Sequence, residues 1–122
     1  MNENAKLWVE ALRSGEYEQG RGALCTIDEP KKNCCLGVAC ELYIRAYPGD
    51  LKITEGVGNR IDYDGHSAVL PEKVVAWLGL CTASGEYLGG QLTSDNDTGC
   101  SFDWIANKID SEPNGLFVSD AT

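Results

Sequence analysis

The most informative segment of the sequence is Cys34-Cys35-Leu36-Gly37-Val38-Ala39-Cys40, followed by Glu41-Leu42-Tyr43-Ile44. Thiolates that hold zinc usually come in pairs, with about two to four residues between them. Cys34 and Cys35 are adjacent and Cys40 lies well beyond them, so the spacing disfavours a metal or redox site. The apolar residues instead recur with helical periodicity, and free cysteine packs as a small hydrophobe. The sequence therefore predicts a buried helix that ends near Ala46, before Pro48-Gly49.

Further helices are predicted on both sides of this one. An apolar stripe over residues 7–12 indicates a helix that ends at Ser14-Gly15. Pro71 is a favoured first helical residue, and Gly79 is a natural C-terminal cap, so a helix is predicted between them. The clearest periodicity belongs to the last helix, with apolar residues at Phe102, Ile105, Ala106 and Ile109.

Short strands are predicted between the helices. Ala23–Ile27 reads as a strand, and Asn33–Cys35 is either its returning partner or the start of the next helix. Residues 49–69 are predicted as loop with one or two short strands, and residues 82–99 as a polar loop. The expected fold is a small single α+β domain spanning residues 1–122, with about four helices and a short antiparallel hairpin or small sheet.

Composition limits the partners. The chain has ten basic and nineteen acidic residues and a net charge of −9, which disfavours binding to DNA, RNA or an anionic membrane. No apolar run approaches the ~20 residues of a membrane span. The first residues, 1–4, lack the basic and apolar segments of a secretion signal. We therefore expect a cytoplasmic protein whose six cysteines are reduced.

No catalytic or metal-binding pattern stands out. Cysteine nucleophiles need a base, and the single histidine, His66, lies in a glycine-flanked loop typical of a surface residue. Asp95 and Asp97 fit the first positions of a calcium-binding loop, but Gly99 breaks the pattern and no glutamate completes it. The sequence therefore predicts a protein that is not an enzyme and holds no metal or cofactor.

Two loops and an aromatic residue suggest a ligand site. Residues 92–99 bring short polar side chains to the start of the last helix, where free N–H groups can receive a polar ligand. Tyr87 can stack on a base, and Arg60 can pair with a phosphate. Trp104 lies off the buried stripe of its helix, which indicates an interface or stacking surface unless it packs at the rim of the core. A nucleotide-like ligand is one interpretation; ordinary loop residues are the other.

Several segments occur in an order that resembles a family of small bacteriophage proteins. They are Trp8–Tyr17, Cys34–Cys40, Leu70–Leu80 and Leu92–Asp97, followed by Phe102 and Ile105-Ala106. Within that family the chain is similar to the first type of Thoeris anti-defence protein. The resemblance implies a sponge in the host cytoplasm that binds a cyclic ADP-ribose-type immune signal without degrading it. Some members also hold a cyclic oligonucleotide.

The resemblance also implies a pocket between protomers, and hence a homodimer or higher homo-oligomer. The family's aromatic, asparagine, arginine and aspartate residues match Tyr87, Asn96, Arg60 and Asp97. A further arginine of the family has no counterpart, because no arginine follows Arg60. Both Asn96 and Arg60 are expected in polar loops. The alternative function is an acidic phage accessory protein that inhibits a host protein by direct binding.

Overall fold

A computed structural model describes residues 1–118. The helices in these residues are α1 (Glu3–Arg13), α2 (Cys35–Ala46), α3 (Glu72–Leu78), α4 (Leu92–Asp97) and α5 (Phe102–Asp110). Three antiparallel ribbons pair β1 (Cys25–Thr26) with β2 (Lys32–Asn33), β3 (Ile53–Glu55) with β4 (Ile61–Tyr63), and β5 (Glu86–Tyr87) with β6 (Gly90–Gln91). A 3-10 turn, Val57–Asn59, connects β3 to β4. The protein is a small α+β domain, as predicted.

Helix α2 is the centre of the core. Its first turns are almost wholly inaccessible to solvent, which confirms the prediction of a buried helix. Cys34 precedes the helix as its N-cap, and its Sγ accepts a hydrogen bond from the backbone N–H of Gly37. A Cβ at Gly37 would stand 1.7 Å from the carbonyl oxygen of Leu24, so only glycine permits this approach. The six cysteines are free, and four of them are buried.

The first and last helices pack against each other, and the first helix also packs against α2. Trp8 of α1 is fully buried, and its indole Nε1 donates a 2.8 Å hydrogen bond to the carbonyl oxygen of Cys35. On α5 the predicted stripe is buried, with Ser101 as N-cap. Burying one large apolar side chain contributes about 1.5–3 kcal/mol, so this interface is a major source of stability. None of the helices in residues 1–118 combines the length and hydrophobicity needed to cross a bilayer.

Proline and glycine lie at the ends of α3, largely as predicted. Helix α3 begins at Glu72, so Pro71 is its N-cap rather than its first residue. Gly79 has φ 73° and ends the helix in the left-handed conformation that glycine adopts without strain. Trp77 is only half-buried, and its ring meets Tyr43 of α2 edge-on with centroids 5.5 Å apart.

The structure departs from the prediction in residues 82–99. This stretch is not a loop throughout, because it contains the β5–β6 ribbon and helix α4. Only Leu92 and Asn96 of α4 are buried, so the helix has no apolar stripe that a periodicity argument could detect. Of the two structures predicted for Asn33, a returning strand or the start of the next helix, the strand is observed. Asn33 pairs with Cys25 in the first hairpin.

Candidate functional site

A cleft of about 190 Å³ opens between α4 and the loop that precedes β1. We call it the α4 cleft. It is lined by Gly22, Ala23, Cys34, Ala68, Val69, Ser84, Gln91, Thr93 and Asp97. Polar side chains come from the β6–α4 segment and from Ser84, whereas small apolar groups come from the other segments. This mixture of a few polar groups with apolar surface is typical of a small-molecule site.

Asn96 holds α4, which forms one side of the cleft, in its position. It is fully buried in α4, and its Oδ1 accepts hydrogen bonds from Gln19 Nε2 (3.0 Å) and from the backbone N–H of Cys35 (3.1 Å). Its Nδ2 donates to the carbonyl oxygen of Gly20 at 2.8 Å. The expectation that Asn96 lies in a polar loop is therefore wrong. Its amide is occupied by protein groups and joins α4 to the start of α2 and to the 19–22 loop.

Asp97 follows directly and does line the cleft. Its Oδ1 accepts a 2.9 Å hydrogen bond from the backbone N–H of Gly22 and a longer one, 3.4 Å, from Asn96 Nδ2. The other carboxylate oxygen makes no hydrogen bond to a described residue. The structure therefore brings together two of the four residues expected at a site. Asn96 provides the support, and Asp97 presents a free acceptor.

Further polar groups of the cleft were not predicted. Gln91 Oε1 accepts from Thr93 Oγ1 at 2.6 Å and from Ser94 Oγ at 3.4 Å, which orients the amide. Its Nε2, like the hydroxyl of Ser84, has no hydrogen-bond partner within residues 1–118. No sequence signal distinguishes these side chains from other polar residues of the 82–99 segment, because their convergence depends on the tertiary fold.

Tyr87 is not part of the α4 cleft. Its hydroxyl is bonded to the carboxylate of Asp95, and burial together with this carboxylate raises the pKa of Tyr87 to about 12. The ammonium of Lys108 lies 5.3 Å from the centre of the Tyr87 ring and 5.4 Å from that of Trp104. Trp104 itself is 42% exposed. The two aromatic residues thus flank one lysine at the surface, apart from the cleft lining.

Arg60 also lies away from the cleft. It follows the 3-10 turn, and its Nε donates to the carbonyl oxygen of Val57 at 2.9 Å. His66 is exposed beyond β4, as expected of a surface histidine. The structure therefore does not gather Arg60 and Tyr87 with Asn96 and Asp97 in a single chain.

The α4 cleft contains no activated thiol nucleophile. Cys34 is the only thiol in its lining, and burial raises the pKa of Cys34 to about 11. The thiol is therefore protonated near neutral pH and is a poor nucleophile. His66 is not among the lining residues, so it does not activate this thiol. In residues 1–118 no group of three His, Cys, Asp or Glu residues is placed to hold a metal ion.

A protein-family model described as a domain of unknown function (DUF8296) matches residues 1–113. The matched segment includes the five helices and three ribbons described above, and hence the whole α4 cleft. No curated protein and no solved structure matches the chain.

Proposed function

The chain belongs to the DUF8296 family, and we propose that it binds a nucleotide-type small molecule in the α4 cleft without altering it. The proposed ligand is a cyclic ADP-ribose-type signal, in keeping with the resemblance to first-type Thoeris anti-defence proteins. In this proposal the protein is a phage sponge that lowers the free concentration of the signal in the host cytoplasm. A sponge needs affinity alone, which agrees with a cleft whose thiol is protonated.

One observation carries the proposal, namely the set of uncommitted polar groups in the cleft. The free carboxylate oxygen of Asp97 is an acceptor for hydroxyl groups, such as those of ribose. The Nε2 of Gln91 is a donor, and the hydroxyl of Ser84 can do either. Ala68 and Val69 add apolar surface for the face of a base. Together these groups match a nucleoside better than a purely apolar or purely ionic ligand.

The size of the cleft supports a site shared by two protomers. Ligand pockets usually measure about 300–1,000 Å³. The α4 cleft, at about 190 Å³, holds only part of such a ligand. We therefore propose a homodimer or higher homo-oligomer in which a second copy encloses the rest. Sedimentation at micromolar concentration should show a dimer or larger species, and the ligand should increase its proportion.

The direct test is recovery of the ligand. Purified protein is incubated with cyclic ADP-ribose or with extract from cells whose immune signalling is active, washed, and denatured. Mass spectrometry should find the signal released unmodified and in stoichiometric amount. Asp97→Asn should lower the recovered amount, whereas Asp103→Asn, an exposed carboxylate outside the cleft, should not. A chemically altered product would instead indicate an enzyme, and no bound nucleotide would refute the proposal.

A second candidate is inhibition of a host protein by direct binding. It is favoured by two large apolar side chains that are unusually exposed, Val57 at 82% and Leu88 at 78%. In this alternative, Val57 and Leu88 contribute apolar contacts to the interface with the host protein. Capture of a host protein that is lost in Leu88→Ser or Val57→Ser, together with failure to bind any nucleotide, would support this candidate over the sponge.

A further inference from the structure

The backbone around Arg21 is held against the α4 cleft on both sides. The residue before it, Gly20, accepts a hydrogen bond from Asn96 Nδ2 at 2.8 Å. The residue after it, Gly22, donates its N–H to Asp97 Oδ1 at 2.9 Å. The backbone of Arg21 is therefore held next to Asn96, which supports the cleft, and Asp97, which lines it. The fold thus sets the position of the Arg21 Cα.

The guanidinium of Arg21 is available to a ligand. Its Nη2 lies 3.9 Å from the position that a Cβ would occupy at Gly99, so the side chain extends over the end of α4. In the described part of the chain the guanidinium makes neither a hydrogen bond nor an ion pair. It makes none with Asp97 either, although the neighbouring Gly22 donates its backbone N–H to that carboxylate.

The other arginines of the chain are engaged elsewhere. Arg13 donates to Asn107 Oδ1 at 2.7 Å. Arg45 lies 5.8 Å from the centre of the Tyr17 ring. Arg60 donates its Nε to a backbone carbonyl in its own turn. None of these three contacts involves a residue of the cleft lining, whereas Arg21 directly precedes the lining residue Gly22.

We propose that Arg21 binds an anionic group of the ligand while Asp97 accepts from its hydroxyl groups, so that the α4 cleft selects a ribose phosphate. This inference rests on the proposed function of the cleft as a ligand site. A guanidinium binds phosphate through two parallel N–H donors. Arg21 forms no ion pair with the carboxylate of Asp97. The two groups can therefore bind one ligand that carries both a phosphate and hydroxyl donors.

The charge of the chain makes this arginine important. With a net charge of −9, the protein repels phosphate unless a local cation offsets the field. Arg21 can supply that cation from a position one residue before Gly22, whose N–H donates to the cleft carboxylate of Asp97.

Calorimetric titration with three probes tests the assignment. They are adenosine, ribose 5-phosphate and cyclic ADP-ribose. Arg21→Gln should weaken binding of the two phosphate-bearing probes by roughly ten- to a hundredfold and leave adenosine unaffected. Asp97→Asn should weaken all three. Arg45→Gln, which removes the same charge away from the cleft, is the matched control and should bind like wild type.

Two controls separate a ligand contact from a structural effect. The melting temperature of Arg21→Gln should equal that of wild type, because the guanidinium has no protein partner within residues 1–118. The affinity of wild type for ribose 5-phosphate should fall as salt rises, and this dependence should be weaker in Arg21→Gln. If Arg21 acted only in folding, the Arg21→Gln variant would keep the salt dependence and the phosphate selectivity of wild type.

The outcomes distinguish this inference from the proposed function. Binding of cyclic ADP-ribose that is unchanged in Arg21→Gln overturns the role of Arg21 and leaves the sponge intact. Arg21-dependent binding of ribose 5-phosphate without any binding of cyclic ADP-ribose supports Arg21 and overturns the cyclic signal as ligand. Failure of wild type to bind any of the three probes overturns both.

Discussion

The side-chain oxygen of Asn96 accepts a hydrogen bond at 3.1 Å from the backbone N–H of Cys35, which lies 61 residues earlier in the chain. Cys35 is the first residue of α2, and N–H groups in a first helical turn have no partner within the helix. Asn96 therefore caps the central helix from a distant part of the sequence. The same contact holds α4, and with it the α4 cleft, against the core.

Asn96→Ala should destabilise the protein. The substitution leaves the N–H of Cys35 and the carbonyl oxygen of Gly20 without their partner, and each unsatisfied buried group costs about 1–3 kcal/mol. Urea unfolding should show a lower midpoint with an unchanged slope. Asn107→Ala, on the exposed face of α5, is the control and should lose far less. Equal stability of the two variants would show that Asn96 does not support the fold.

Gly37→Ala should be more damaging still, against the trend of helix propensity. Alanine in a helix interior is favoured over glycine by about 1 kcal/mol. At this position, however, the new Cβ would meet the carbonyl oxygen of Leu24 at 1.7 Å, and that oxygen belongs to the backbone. We expect a loss of several kcal/mol or no folded protein, as circular dichroism would reveal. Gly15→Ala, where a Cβ meets nothing within 4 Å and only the left-handed φ of 79° opposes alanine, should lose about 1–2 kcal/mol and serves as the reference. A more stable Gly37→Ala would contradict the packing.

The thiols should differ sharply in reactivity. Cys81 is exposed and Cys100 is half-buried, whereas the remaining four cysteines are buried. A thiol reagent added to native protein at pH 8 should label Cys81 quickly, Cys100 more slowly, and the other four only after denaturation. Six free thiols are expected in total, with no stoichiometric zinc. Rapid labelling of a third site would show that the α2 region opens, and a metal content near one would revive the metal hypothesis.

Stability should fall at alkaline pH in part through Cys34. Burial raises the pKa of this thiol from 9.0 to about 11. Between these values the unfolded chain releases its proton while the folded chain retains it, so the free energy of unfolding decreases as pH rises from about 9 to about 11. The contribution of Cys34 is at most about 3 kcal/mol. It is fully present below pH 9.

Cys34→Ser isolates this effect. Serine keeps an N-cap acceptor for Gly37 but does not titrate in this range. Unfolding measured at pH 8 and at pH 10.5 should therefore show a smaller loss for Cys34→Ser than for wild type. Cys81→Ser removes an exposed thiol and should follow the wild-type curve. Parallel curves for wild type and Cys34→Ser would mean that the thiol does not titrate as its burial requires.

The elements predictable from sequence were those with a local signal. The spacing of Phe102, Ile105 and Ile109 defined α5, and the prediction was confirmed because that face meets the core directly. Gly79 marked the end of α3 because a left-handed residue is needed there. In each case the residues that determine the element lie within a few positions of one another.

Helix α4 and the α4 cleft were not predictable in this way. The sequence Thr93–Asp97 is polar throughout and resembles a loop. It becomes helical in a context where Asn96 bonds to groups 61 and 76 residues away. Likewise, Asp97, Gln91 and Ser84 converge only through the tertiary fold. Of the four residues predicted for a ligand site, Asp97 lines the α4 cleft, whereas Gln91 and Ser84 line it without having been predicted.

The packing of α1 against α5 has a consequence for synthesis of the protein. Arg13 and Asn107, which join these helices, are separated by 94 residues. While the chain emerges from the ribosome, the Trp8 face of α1 has no α5 to cover it. We therefore expect the nascent chain to resist proteolysis only after α5 has left the exit tunnel, since such distant contacts form late. Protease resistance of ribosome-bound chains that end before residue 100 would contradict this order of assembly.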